Sequence, residues 1–194
     1  MTTTGRNAAA HLEQVEAPGS MLTKAAARAL AVLRISVGFV FLWAFLDKTF
    51  GFGYATPSER AWINGGSPTK GFLSNVEIGP FQSFFHSIAG DTWTNWAFML
   101  GLLGIGLALI LGIGLRIAAG AATLMMAMMW AAEWPLAQHT SAGEPSGSTN
   151  PIVDYHVVYA LSAIVAALTY AGHTWGLGRQ WAKLPLVQKH GWLI

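Results

Sequence analysis

The sequence predicts an all-α membrane protein, a four-transmembrane-helix bundle with an ordered extracytoplasmic loop containing short interfacial helices. Three observations carry this expectation. The stretch from Thr92 to Ala132 holds forty-one residues and one formal charge, Arg116. A bilayer core of ~30 Å takes about 20 helical residues at ~1.5 Å rise each, so this stretch is two crossings joined by a turn. Only 10% of the residues are charged, against ~25% in soluble domains, and the mean hydropathy is +0.44. The nine tryptophans stand mostly near the ends of apolar runs, where an interfacial aromatic belt places them.

The segment from Met1 to Thr23 has no apolar core, so residues 1–23 are expected to be a disordered cytoplasmic tail. A transmembrane domain over 24–178 and a basic interfacial tail over 179–194 follow. The first span is expected from about Ala25 to Leu46, interrupted by Arg34 and ended by Asp47-Lys48. Two readings of Arg34 stand side by side: its guanidinium extends to the headgroups, or it is a buried structural or ligand-binding cation. Gly38, one turn further along the same face, lets a neighbouring helix come close.

Between Lys48 and Asp91 the chain is neither fully apolar nor disordered in composition. Thr56-Pro57-Ser58-Glu59 has the form of a capping box, Gly65-Gly66 closes that short helix, and Ser67-Pro68 repeats the start signal. Helical spacing puts Phe81, Phe84, Phe85 and Ile88 on one face, as in a helix lying along a membrane surface. The loop is therefore expected to be ordered and pressed onto the bundle, as a functional element or a partner-docking surface.

The hairpin turn is Gly112-Ile113-Gly114-Leu115-Arg116, where two glycines allow positive φ. Gly104, Ala108 and Gly112 recur every fourth residue, a small-residue stripe suited to close helix packing. A nucleotide loop is excluded, because it needs a preceding soluble strand and a solvated helix N-terminus. The third span runs from Arg116 to about Trp134. Its Met125, Met126, Met128 and Met129 fill space among helices or form a flexible wall for a flat apolar ligand. Asn150-Pro151 is expected to start the fourth span, roughly Ile152 to Ala171, as N-cap and first helical residue.

With four spans, the side holding both termini and the hairpin carries Arg6, Lys24, Arg28, Arg34, Arg116, Arg179, Lys183 and Lys189. The other carries only Lys48, Arg60 and Lys70. This asymmetry places the N- and C-termini in the cytoplasm of a multi-pass cell-membrane protein. Membrane lipid is then a partner for the basic residues, and no nucleic acid is required.

The topology brings Lys48, Glu133, Asp154, His156 and Tyr159 to one outer level, which makes them candidates for binding a substrate or a quinone. Arg34 is a further candidate in the cytoplasmic half. Simpler roles stay open: Asp154 as complement to a helix dipole, Glu133 and Asp47 as solvated end residues, and Lys48 as a partner of Glu133 or Asp47. The chain contains no cysteine, which removes thiol nucleophiles, iron–sulfur ligation and thioether-linked haem from its own chemistry. His86, His139 and His156 lie at unrelated spacings, so no metal or haem is expected.

Arg34-Ile35-Ser36-Val37-Gly38-Phe39 with Asp47-Lys48, and Trp62-Ile63-Asn64-Gly65-Gly66-Ser67-Pro68-Thr69-Lys70-Gly71-Phe72-Leu73, resemble the DoxX/DoxD family. So do the segment from Gly104 to Arg116 and Asn150-Pro151 with Tyr155-His156 beyond. The resemblance implies a four-span bacterial membrane protein. It also implies, for DoxD-type members, a subunit of thiosulfate:quinone oxidoreductase that oxidises thiosulfate to tetrathionate and passes electrons to membrane quinone. Quinone is thus the expected electron acceptor. Since the chain offers no thiol, the reaction requires direct contact between the sulfur anion and the quinone, or a second subunit or peripheral redox partner that supplies a redox group, and such a partner is expected. The other class left open is a non-enzymatic membrane scaffold anchoring such a partner, and oligomers fit either class. A transporter is disfavoured by the lack of a duplicated pair of broken helices.

Overall fold

The computed structural model describes residues 23–194. The tail expected over 1–23 therefore lies, apart from Thr23, outside the described residues. Thr23 caps the first long helix, α1 (Lys24–Phe50), its side chain accepting a hydrogen bond from the Ala26 amide. Two 3₁₀ turns, Ser58–Arg60 and Trp62–Asn64, and two short helices, α2 (Lys70–Leu73) and α3 (Gln82–Ser87), make up the long loop. The hairpin helices are α4 (Thr92–Leu111) and α5 (Leu115–Glu133), and α6 (Tyr155–Leu168) follows. A 3₁₀ turn at Ala171–His173, α7 (Gly178–Trp181), α8 (Pro185–Lys189) and a last 3₁₀ turn at Gly191–Leu193 complete the described chain. Among the described residues the only β pairing is an isolated bridge between His139 and Pro145.

This is an all-α membrane protein. α1, α4 and α5 are long and apolar enough to cross a membrane, and α6 is a shorter apolar helix. α1 packs chiefly on α4 and α5 on α6, while α4–α5 and α1–α6 contacts close the ring. The shared core contains Val37 and Phe41 of α1, Met99 and Leu109 of α4, and Met126 of α5. The α5–α6 seam is lined by alanines: Ala118, Ala119 and Ala122 on α5, and Ala163, Ala166 and Ala167 on α6 are buried. Small side chains let the two backbones approach, which is how helices gain van der Waals contact where lipid removes the hydrophobic drive.

Arg34 is fully buried, so the reading in which it extends to the headgroups is excluded. Its Nη1 donates to the carbonyls of Leu109 and Ile110, the latter at 2.8 Å, and its Nη2 to those of Thr174 at 3.3 Å and Trp175 at 3.0 Å. The last turn of a helix leaves carbonyls without intrahelical partners, and an apolar surround offers no water to satisfy them. One guanidinium, with five donors in a rigid fork, meets that need for α4 and for the chain beyond α6. The amide of Leu177 completes the set by donating to Leu111 O at 2.8 Å.

The small-residue packing differs from the stripe expected on Gly104. Nothing lies within 4 Å of where a Gly104 side chain would begin, whereas a Cβ on Gly106 would meet the Leu42 backbone nitrogen at 2.7 Å. Gly38 answers it, facing Ile110 at 2.9 Å, and Gly112, with φ of +73°, abuts the Gly172 backbone. The α1–α4 contact thus follows Gly106, not the Gly104 register.

The loop between α1 and α4 is ordered against the bundle, as expected, but its local structure departs from the sequence signals. The Thr56 side chain does not cap the Ser58–Arg60 turn, whose N-terminal residue is Pro57. The link instead closes through Asp47, buried at the end of α1, whose carboxylate accepts from the amides of Tyr54 and Ala55. Asn95, in the first turn of α4, anchors the middle of the loop: its Oδ1 accepts from the hydroxyls of Ser67 and Thr69 and from the Thr69 amide. The expected Phe81–Phe84–Phe85–Ile88 face is divided. Phe85 and Ile88 pack with Leu73, Val76 and Ala132, while Phe81 and Phe84 stay exposed.

The fourth helix starts later than expected. Asn150 Oδ1 accepts from the amides of Ile152 and Val153, an Asx turn that competes with helix, and α6 begins only at Tyr155. Its length of 14 residues corresponds to ~21 Å, short of a ~30 Å bilayer core. At its other end Tyr170 takes φ of 52°. The C-terminal tail folds back: Val187 and Leu193 are buried and Trp181 Nε1 donates to Leu193 O.

Gly106→Leu should lose about 1–3 kcal/mol of stability through overpacking, whereas Gly104→Leu should melt like wild type in detergent; equal losses would contradict the assigned register. Arg34→Met should cost about 3 kcal/mol or more, since two or more charged hydrogen bonds of ~1.5–3 kcal/mol each disappear. A purified Arg34→Met protein with an unchanged melting temperature would show that the carbonyls find other partners.

Candidate functional site

α5 runs from the hairpin to the loop end of the bundle, and its last residue, Glu133, lies there beside the first turn of α6. Trp134 ends α5 with φ of 43° and its amide on Trp130 O, and Pro135 cannot continue the helix. α6 starts at the same level because Asp154 caps it: Asp154 Oδ1 accepts from the amides of His156 and Val157. Capping leaves the other carboxylate oxygen free to turn back, and Oδ2 lies 2.8 Å from His156 Nδ1. A carboxylate only accepts, so Nδ1 carries the hydrogen in this pair.

His156 is completely buried. With Nδ1 donated to Asp154, its Nε2 has no hydrogen-bond partner and faces Glu133 Oε1 across 4.0 Å. Glu133 Oε1 also accepts from the Tyr155 hydroxyl at 2.7 Å, and the Tyr155 ring lies over the His156 imidazole with centroids 4.0 Å apart. Tyr155, Glu133, His156 and Asp154 therefore form a chain of polar groups running from the exposed rim to a fully buried nitrogen.

Next to this chain is a cavity of about 410 Å³ between the two loops. Val76, Ile78, Ala132 and Pro135 give it an apolar wall, and Asn75, Glu77, Glu133, Asp154 and Tyr155 supply polar groups. The far wall comes from the loop between α5 and α6, held by its own bonds: Ser146 Oγ donates to Ala137 O and Ser148 Oγ to Pro135 O. Trp130 Nε1 ties this loop to the bundle by donating to Ile152 O. The volume falls in the range of small-molecule pockets, ~300–1,000 Å³.

The sequence-derived candidates separate into three places. Glu133, Asp154 and His156 are together. Tyr159 is one turn deeper, within the apolar core, its ring edge-on to Phe41 and Tyr155 at centroid distances of 6.5 and 6.0 Å. Lys48 faces α4, its Nζ 6.0 Å from the Phe98 ring centroid, and is not among the cavity-lining residues. Arg34 belongs to the hairpin end, where it binds the carbonyls that close α4. It is a structural cation there, ~20 Å along α1 from Asp47 at ~1.5 Å per residue.

Sequence reasoning missed Tyr155 as a site residue, together with the loop residues Asn75, Val76, Glu77 and Ile78. For Tyr155 the signal was present: one turn before Tyr159 and next to the N-cap, its hydroxyl can reach across to the end of α5. For the loop residues no periodic pattern announces the fold of residues 74–81.

No curated protein and no solved structure matches the chain. The DoxX family model matches residues 29–134. That span takes in α1, the long loop and the hairpin helices up to Trp134, including Glu133 and the loop wall of the cavity. Asp154, Tyr155 and His156 lie beyond it. Because the match covers more than half of the chain, this membrane protein belongs to the DoxX family.

Proposed function

We propose that the chain is the membrane subunit of a quinone-linked oxidoreductase and that the loop-end cavity receives the quinone headgroup. The observation that carries this reading is the cavity itself, an apolar-walled space bordered by the Tyr155–Glu133 hydrogen bond. A quinone ring is flat, uncharged and apolar except for two carbonyl oxygens. It matches a pocket that is mostly hydrophobic with a few placed polar groups. The Tyr155 hydroxyl, whose one hydrogen is given to Glu133 Oε1 at 2.7 Å, would turn from that oxygen to donate to a quinone oxygen, and Glu133, exposed at the rim, is placed to deliver protons as the ring takes up two electrons and two protons.

The donor side of the reaction is assigned to another chain. Glu77, Glu133 and Asp154 line the cavity and no Lys or Arg does, so a sulfur dianion such as thiosulfate meets like charge there. We therefore place oxidation of a thiosulfate-class donor on a partner subunit or peripheral redox protein, which passes electrons to quinone at this site. The cysteine-free sequence accords with a chain that positions the acceptor while its partner holds the redox group. In orientation, the loop end is proposed to face outward and the termini the cytoplasm, as the Lys and Arg distribution favours.

The experiment is quinone titration of the native complex isolated in mild detergent. Asn75→Trp fills the cavity from an exposed position outside the core. It should raise the KM for a short-chain quinone about tenfold, equivalent to ~1.4 kcal/mol of lost binding, with the melting temperature unchanged. Tyr155→Phe should lower turnover with a smaller effect on folding. Unchanged quinone kinetics in both variants would contradict the site, and a complex that binds a partner but no quinone would favour the scaffold role.

A further inference from the structure

We propose that Glu133 and His156 bind a divalent transition-metal cation at the loop end of the bundle, with Asp154 orienting the imidazole. The chain's histidine spacings gave no reason to expect a metal, but the fold brings together ligand types from two helices. One ligand atom each from Glu133, Asp154 and His156 lies within 4.8 Å of the others.

The cluster does not carry the inference alone. The unpartnered, fully buried His156 Nε2 does. A buried nitrogen without a hydrogen bond costs about 1–3 kcal/mol, and this one points at a carboxylate oxygen across 4.0 Å. A proton on Nε2 would not reach that oxygen, since N–H···O bonds span ~2.7–3.2 Å. A metal ion does after a small movement of Glu133, because tetrahedral bonds of ~2.0–2.1 Å to nitrogen and ~2.0–2.2 Å to oxygen set the two ligand atoms ~3.4 Å apart. Glu133 is partly exposed and can swing to adjust the angle without disturbing the core.

The remaining geometry is that of a supported metal ligand. Metal-bound histidines donate their other ring N–H to a carboxylate, which fixes the tautomer and raises the basicity of the ligating nitrogen. Asp154 already accepts from His156 Nδ1 at 2.8 Å, and its backbone bonds as helix cap hold that carboxylate in place. Imidazole plus carboxylate selects a borderline cation of the zinc, nickel or iron(II) type over calcium or magnesium. Two protein ligands leave positions open. The acidic cavity wall formed by Glu77 and Asp154 adds negative potential that favours a cation there. This inference does not depend on quinone binding.

The test is metal retention by tag-free protein in mild detergent, stripped with chelator, loaded with Zn²⁺ or Co²⁺ and desalted. Wild type should retain one ion per chain, and Co²⁺ should show visible d–d absorption typical of nitrogen–oxygen ligation. Glu133→Gln and His156→Gln should each weaken retention at least tenfold, and Asp154→Asn about 10–100-fold, while His139→Gln should have no effect. Melting curves separate loss of metal from loss of fold, and Glu133→Gln, altered at a partly exposed side chain, keeps the test valid should His156→Gln not fold. Retention by wild type no greater than by Glu133→Gln, or loss caused by His139→Gln, would overturn the proposal.

Discussion

A single buried guanidinium sets the register of this bundle. Arg34 on α1 binds carbonyls from the last turn of α4 and from the segment after α6, so three parts of the chain distant in sequence are fixed at one level. Moving α1 by one residue, about 1.5 Å, would withdraw the fork from all of them. In an apolar surround the carbonyls have no second choice, which makes the arrangement all-or-none. Gly112 and Gly172 meet next to it backbone to backbone; a Cβ on Gly112 would come 3.1 Å from Arg34 Nη1, and one on Gly172 would run into the Gly112 backbone. Register set at the hairpin end is carried along α1, α4 and α5 to the loop end. There it decides whether Glu133 and the start of α6 come to the same height.

The two ends of the molecule are consequently different in kind. At the hairpin end, both terminal nitrogens of the buried Arg34 are matched to backbone carbonyls and serve to close helices, although its Nε and that of Arg116 have no partner. At the loop end, matching is incomplete: His156 Nε2 is left bare, Glu133 is shared between Tyr155 and the gap to His156, and a cavity adjoins them. Incompletely satisfied polar groups beside a cavity are where ligands gain most, because binding supplies partners that the fold withholds. The loops make this end possible. Asn95 anchors one loop to α4 and Trp130 ties the other to the bundle, so both walls of the cavity rest on rigid helices.

Much of the architecture was legible in composition and hydropathy. Forty-one residues with one charge require two membrane crossings, and the same counting brings Lys48, Glu133, Asp154, His156 and Tyr159 to one level, of which Glu133, Asp154 and His156 stand together. What was not legible has physical reasons. Asn150-Pro151 carries the residues of a helix start whether it forms one or an Asx turn, and the choice depends on loop contacts that no local pattern encodes. Gly104 and Gly106 are equally small, and only the rotation of α4, set by its partner, decides which one faces α1. Arg34 could be read as interfacial or buried because sequence gives depth along a helix and not the face it presents. The loop residues 74–81 lacked any periodic signal, so the cavity they help to form was invisible in the chain.

Photolabelling with a short-chain azidoquinone in native membranes tests most directly the proposed placement of quinone chemistry at the loop end. Mass spectrometry of the labelled protein should place the adducts on peptides containing Val76–Ile78, Ala132–Glu133 or Tyr155, with labelling suppressed by excess unmodified quinone. Competable adducts concentrated instead around Arg34, Gly112 and Trp175 would move the site to the hairpin end and contradict the account.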